Sequence, residues 1–409
     1  MLENQLQDYA HLLITKGVNL QQGQTLVINV DVESKDFAII VTKIAYELGA
    51  SEVIVNWRCQ PIAKERLLHA SEDVLSSVAP WIPPYYQTYV DKKAAFLSLI
   101  SANPEAMKGV DATRASLASR TLNSALTFYH ESIMGSALTW CVASVATPLW
   151  ADLLGYTGSE EEKVNALWQT IFTLCRITPK DDNEALHAHL ETLANRTKKL
   201  NDLHLTKLHY TAENGTDLYL ELPEKALWLG GSEKSQEGII FNANIPTEEV
   251  FSAPLREGLN GIVYSTKPLI YQGNRINNFA LTFEQGRIIK ITAEEGEEYL
   301  EKLVETDEGS HYIGEVALVD HYSPISASNQ IYFETLFDEN ASCHLAIGSA
   351  YPICYEGGEQ LTEEELKKVG LNKSLTHVDF MIGHVTMNID GYTKDGHIVS
   401  IMKNGRLNY

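Results

Sequence analysis

Cysteine is scarce in this 409-residue chain: there are five, an odd count with no C-x-x-C spacing. That excludes a disulfide framework and a cysteine-built zinc knuckle. No run of eighteen or more apolar residues occurs, so no helix is expected to span a membrane. The opening MLENQLQDYA has neither the basic nor the apolar region of a secretion signal, and a reducing cytoplasm is the expected location. Basic residues are also short, 32 Lys and Arg against 54 Asp and Glu, for a formal net charge of -22. Nucleic acid and anionic lipid would be repelled by such a surface. Two signatures are missing as well. Neither G-x-G-x-x-G nor G-x-x-x-x-G-K-[ST] is present to cradle a phosphate, and no G-x-S-x-G elbow presents a nucleophilic serine.

What is present describes a globular protein, 44% hydrophobic and 21% charged, long enough for two cores. The first part alternates β and α patterns. TLVINVD (Thr25 to Asp31) and SEVIVNWR (Ser51 to Arg58) read as strands around a helix from Lys35 to Leu48. Further strands are expected at Ala94 to Ser101 and Leu138 to Val145, with a helix through Arg114 to Tyr129. Such a βαβ series implies a parallel sheet covered on both faces. The turn after the first strand, VESKD, lacks phosphate-binding glycines, so a scaffold or substrate-gating role fits this domain better than nucleotide binding.

Beyond about residue 190 the texture changes to short alternating segments broken by Gly, Asn and Asp, with turn signals at Asn214-Gly215 and Asp395-Gly396. The fold class is therefore α/β plus α+β: an α/β domain over residues 1–190 and a largely antiparallel β domain with helices, open or barrel-like, over residues 191–409. Acidic runs such as Glu160 to Glu162, Glu294 to Glu298 and Glu363 to Glu365 lie in polar, helix-like stretches and read as solvated faces.

Ionisable residues that interrupt apolar segments are a different matter, because a buried charge must have a partner. In THVDFMIG, His377 and Asp379 are two apart, so both point to one face of a strand while Val378 and Phe380 point to the other. That pair suits a metal ion or a buried His-Asp hydrogen bond. Glu315 in GEVALVD shares a face with Ala317 and Val319 and calls for a cation, either an arginine or a metal. His344 follows Cys343 in DENASCHLAIG, where a lone histidine is more often a satisfied core residue than a ligand. Glu248 and Glu249 follow Pro246 and Thr247 in a turn that could also be mere surface. As a set, however, carboxylates and imidazoles from four apolar-flanked segments are the donors that a pair of divalent ions takes.

Those four segments, NIPTEEVFSAP, GEVALVDHYSPIS, LFDENASCHLAIGSAYP and HVDFMIG in that order, resemble the signature of the metallo-aminopeptidase family that includes aminopeptidase T, AmpS and PepS. The resemblance implies metal ligands at Glu249, Glu315, His344, His377 and Asp379, with Glu315 bridging two ions, and a site-lining tyrosine at Tyr351. It also implies a C-terminal domain that carries the site and a homodimer enclosing an internal cavity. The substrate would be a peptide with a free N-terminus, and the cofactors two divalent ions per subunit from among zinc, cobalt, manganese and magnesium. By analogy with dinuclear aminopeptidases, Glu248 is the expected general base, with Tyr351 contacting the oxyanion or positioning substrate. Two other classes remain open on these residues: a dinuclear phosphoesterase, and a non-catalytic metal- or peptide-binding protein.

Overall fold

The computed structural model describes residues 2–103, 106–177, 184–271 and 274–409. Among them, the expected α/β and antiparallel β folds are both present, in two compact units.

The first unit is built on a five-stranded parallel sheet in the order Asn244–Ile245, Trp140–Ser144, Ala95–Ile100, Thr25–Asp31 and Glu52–Arg58. Val- and Ile-rich runs form these central strands because both faces are covered: six of the seven residues of Thr25–Asp31 are buried. The helix Lys35–Glu47 buries Phe37, Ala38, Val41, Ile44 and Ala45. An aromatic knot of Tyr9, Phe37, Trp168 and Phe172 joins it to the helices Leu2–Leu12 and Glu160–Leu174.

The units interleave along the chain. Residues 1–189, 232–246 and 331–336 form the first, and residues 190–231, 247–330 and 337–409 the second. The two-residue edge strand Asn244–Ile245 is how one of the later stretches joins the parallel sheet.

The second unit holds two antiparallel sheets. The larger has nine strands and is open among the described residues, since its outer strands Arg287–Glu295 and Arg406–Leu407 do not pair with each other; it is not a closed barrel. The smaller has five strands, in the order His377–Met381, His344–Gly348, Ile313–Val319, Glu249–Ser252 and Leu229–Gly230. One face of it packs into the unit's hydrophobic core through Val250, Val316, Leu318, Leu345, Ile347 and Phe380. The other face carries the chemistry.

Candidate metal centre

Directly opposed residues in an antiparallel sheet point to the same side, so the register fixes what shares a face. Glu249 lies opposite Val319, and Ala317 lies opposite both Phe251 and His344. Glu315 lies opposite Ala346, which in turn faces Asp379, while His377 pairs with Gly348 and His344 with Met381. One face of four adjacent strands therefore presents Glu249, Glu315, His344, His377 and Asp379. The small side chains Ala317 and Ala346 between them leave a recess.

Two backbone features make this placement possible. An irregularity between Ile313 and Glu315 adds a residue to the strand, so that Ile313 packs in the core while Glu315, of the same parity, faces the recess. At the other end Gly348 has φ 115, and a Cβ there would lie 2.1 Å from the carbonyl oxygen of Thr376; glycine lets its strand pass this close to the His377 segment.

The polar atoms converge. His344 Nε2 is 3.1 Å from Glu249 Oε2 and 3.6 Å from Glu315 Oε1. His377 Nε2 is 3.3 Å from Glu315 Oε2 and 3.6 Å from Asp379 Oδ1. These contacts form two triads, Glu249–Glu315–His344 and Glu315–His377–Asp379, each with one donor atom per residue within 4.8 Å of the others, and Glu315 belongs to both. Glu249, Glu315 and His344 are buried, His377 and Asp379 half-buried.

Each imidazole is oriented from behind. His344 Nδ1 meets the carbonyl oxygen of Ser342 at 3.1 Å, and His377 Nδ1 that of Ser349 at 2.7 Å. A carbonyl can only accept, so both Nδ1 atoms carry the proton and donate it. Nε2 of each ring therefore faces the carboxylates, and on losing its proton it would present a lone pair to a metal, the arrangement that holds metal-ligating histidines.

The electrostatics describe a cluster in need of cations. Burial alone would raise Glu315, but hydrogen bonds from His344 and His377 outweigh it and hold this carboxyl down at about 2. Burial alone would lower His377, yet Asp379 and Glu315 push it up to about 11, and Glu249 and Glu315 lift His344 well above the usual imidazole range. Burial lifts Glu249 despite its contact with His344. Among the described residues, no lysine or arginine pairs with Glu249, Glu315 or Asp379, so the arginine alternative for Glu315 is not realised. Asp379 Oδ1 is buried without a hydrogen-bond partner, and Glu249 Oε2 has only His344 Nε2 beside it. An unsatisfied buried carboxylate oxygen costs several kcal/mol in general, and a divalent ion would satisfy it.

Sequence reasoning missed Glu339, at the end of the short helix Thr335–Glu339. Burial, then the negative charges of Glu249 and Asp379, raise its carboxyl well above the ordinary value, which places it in the field of the same cluster. Its signal was its position inside the motif, five residues before His344 on an otherwise polar turn.

The other expected residues fall nearby. Tyr351 packs its ring 4.8 Å from that of His377 and 6.2 Å from Phe251. Glu248 is buried, and its backbone N–H donates to Asn340 Oδ1 at 2.6 Å, next to Glu339. Cys343 turns to the core side and hydrogen-bonds the backbone of Val319, while burial pushes its thiol up to about 11, so it is not a nucleophile at neutral pH.

Comparison with known proteins gives a consistent result along the whole chain. The family described as thermophilic metalloprotease (M29) matches residues 2–407. Aminopeptidase AmpS of Bacillus subtilis is 46% identical over 400 residues, covering 98% of this chain and 97% of that protein. Aminopeptidase PepS of Streptococcus thermophilus is 43% identical over 401 residues, with the same coverage. The solved structure of wild-type AmpT from Thermus thermophilus superposes with a TM-score of 0.92 at 35% identity, over 100% of both chains. No helix among the described residues is long and apolar enough to cross a membrane.

Proposed function

The chain belongs to the thermophilic metalloprotease family and is a metallo-aminopeptidase; from that premise we propose that it removes the N-terminal residue of peptides with two divalent cations held on either side of Glu315. The observation that carries this reading is the pair of triads sharing Glu315 on one sheet face. In it Glu249, Glu315 and His344 would hold one ion, and Glu315, His377 and Asp379 the other. Glu339 adds a further carboxylate. Charge supports the count, since four carboxylates, Glu249, Glu315, Glu339 and Asp379, carry -4 when ionised and two divalent ions carry +4. Zinc, cobalt, manganese and magnesium all accept such a donor set, the last least readily.

Two such ions supply Lewis acidity for the scissile carbonyl and make a water nucleophilic near neutral pH. The protein's own groups do the rest. Glu248 takes the proton of the attacking water and returns it to the departing amine, which becomes the new N-terminus of the shortened peptide. Tyr351 donates its hydroxyl to the oxygen on which charge develops. Burial and the nearby carboxylates keep that hydroxyl protonated well past neutral pH, so it remains a donor throughout the working range. We further propose that the protein works in the cytoplasm as a homodimer around an internal cavity, which would restrict access to short or unfolded peptides; sedimentation at micromolar concentration tests the dimer.

Anomalous diffraction from a crystal grown with manganese or zinc tests the site. Two peaks about 3.5–4 Å apart, one on each side of Glu315, support the proposal. A single peak, or peaks away from the five ligands, overturn the dinuclear reading.

A further inference from the structure

A group of basic residues stands at one end of the metal-bearing sheet, apart from the five ligands. The strands Ile313–Val319 and His377–Met381 both finish at that end, and Glu249–Ser252 and His344–Gly348 both start there, because each runs antiparallel to its neighbour. Glu249 lies opposite Val319 and His344 opposite Met381, so this is the end nearer the Glu249–His344 side of the centre. Glu248, the base in the reading above, is one residue further out. His321 comes two residues after Val319, and His384 three after Met381. The two segments meet at Gly405, φ 71, where a Cβ would lie 2.9 Å from His321 Cβ and 3.1 Å from the His384 carbonyl oxygen.

Lys267 reaches the same end from a separate loop that is pinned on both sides. Ser265 N–H donates to the Phe279 carbonyl at 2.8 Å, and the Ser265 hydroxyl accepts the Phe279 N–H at 3.0 Å. Thr266 N–H donates to the carbonyl of Met381, the last residue of its strand, at 2.8 Å, and Pro268 restricts the backbone on the other side. Lys267 and His384 are close enough to His321 for their charges, added to burial, to hold that imidazole below its ordinary value. Lys267 itself is half-buried, and among the described residues no carboxylate forms an ion pair with it. Burial pulls its ammonium below the usual lysine value, against the opposing charge of Asp338, the neighbour of Glu339. His384 Nδ1 accepts the Thr386 N–H at 3.2 Å, so the ring proton sits on Nε2, for which no acceptor is present among the described residues. In a chain with 54 Asp and Glu against 32 Lys and Arg, a partly desolvated ammonium without a counter-ion beside an unused imidazole donor suits a bound anion.

We propose that Lys267, with His384 beside it, binds the terminal carboxylate of a short peptide whose N-terminus is held at the metal centre. This rests on the aminopeptidase reading above and adds to it the direction in which the substrate lies. The departing amine receives its proton at Glu248, so the departing part of the peptide runs out over the strand ends, the side on which Lys267 and His384 stand. An ammonium there favours a chain that ends within its reach and does nothing for one that continues, so the site selects short peptides. All of these residues belong to the second unit.

The test compares kcat/KM of the metal-loaded protein for leucyl-alanine and leucyl-alanyl-alanine with that for their C-terminal amides. At one length or both, the free acid is expected to be favoured at least about tenfold, the worth of one hydrogen bond to a charged group. The difference should lie in KM rather than kcat and should shrink as salt is added. Lys267→Met should abolish the preference, and Lys267→Arg should keep part of it. No preference for the acid at either length, or a preference that survives Lys267→Met, would overturn the proposal; the wild-type comparison decides even where the variant does not fold. Cleavage of none of these peptides is a different failure, that of the aminopeptidase reading, and the proposal falls with it.

Discussion

Metal uptake by this protein should expel protons, and the structure says from which groups. In the metal-free cluster the neighbouring carboxylates raise both His344 and His377 above the ordinary imidazole value, the latter to about 11, so His377 carries two ring protons at pH 7. The Nδ1 proton is committed to a backbone carbonyl in both cases, so the proton lost on ligation is the one on Nε2. Glu339 is raised in the same direction by burial and by Glu249 and Asp379, so ligation pulls a proton from it too. Binding of metal at pH 7 should therefore release at least about one proton, that of His377, and the affinity should rise about tenfold per pH unit for each proton released. The sign follows from the direction of the shifts. A raised histidine stabilises the metal-free fold fully below its unfolded value near 6.5, and that contribution is lost as pH rises toward 11, so metal binds more tightly where the proton is held less firmly. Calorimetry in buffers of differing ionisation enthalpy reads the proton count as a slope. A slope near zero would mean that the imidazoles are already neutral and would refute the electrostatic description of the cluster.

Substitutions separate the roles. Glu315→Gln should lose both ions and lower kcat/KM by at least about 10³-fold, whereas Asp379→Asn should retain one, as counted by mass spectrometry of dialysed protein. Glu248→Gln should keep both ions and lower kcat about 10²- to 10⁴-fold; loss of metal with the fold intact would remove Glu248 from the role of base. Tyr351→Phe should keep metal and lower kcat about 10²-fold with little change in KM, and an unchanged kcat would reduce Tyr351 to packing. Gly348→Ala should destabilise the protein by at least about 2 kcal/mol in chemical denaturation, because its Cβ would collide with the Thr376 carbonyl.

Much of this site was legible because strands write their faces into sequence with a period of two. His377 and Asp379 share a side in the structure as the spacing implies, with Val378 and Phe380 on the core side. Glu315 could be singled out because Ala317 and Val319, on its own face of the strand, are apolar, and both are buried in the structure. Glu339 escaped notice because a one-turn helix in FDEN has no periodicity to set a buried acid apart from a polar turn. The interleaving of the units escaped for a similar reason: the strand that takes residues 232–246 into the parallel sheet is two residues long, too short for any pattern. Hydrogen bonds from Nδ1 to carbonyls depend on backbone geometry that side-chain identity does not encode.

The most direct measurement is release of a free amino acid from a short unblocked peptide and from its N-acetylated twin, using metal-stripped protein before and after addition of zinc, cobalt or manganese. The account predicts release from the unblocked peptide alone, and only once metal is restored. Stoichiometric metal binding with neither peptide cut, or equal cleavage of both, would contradict it.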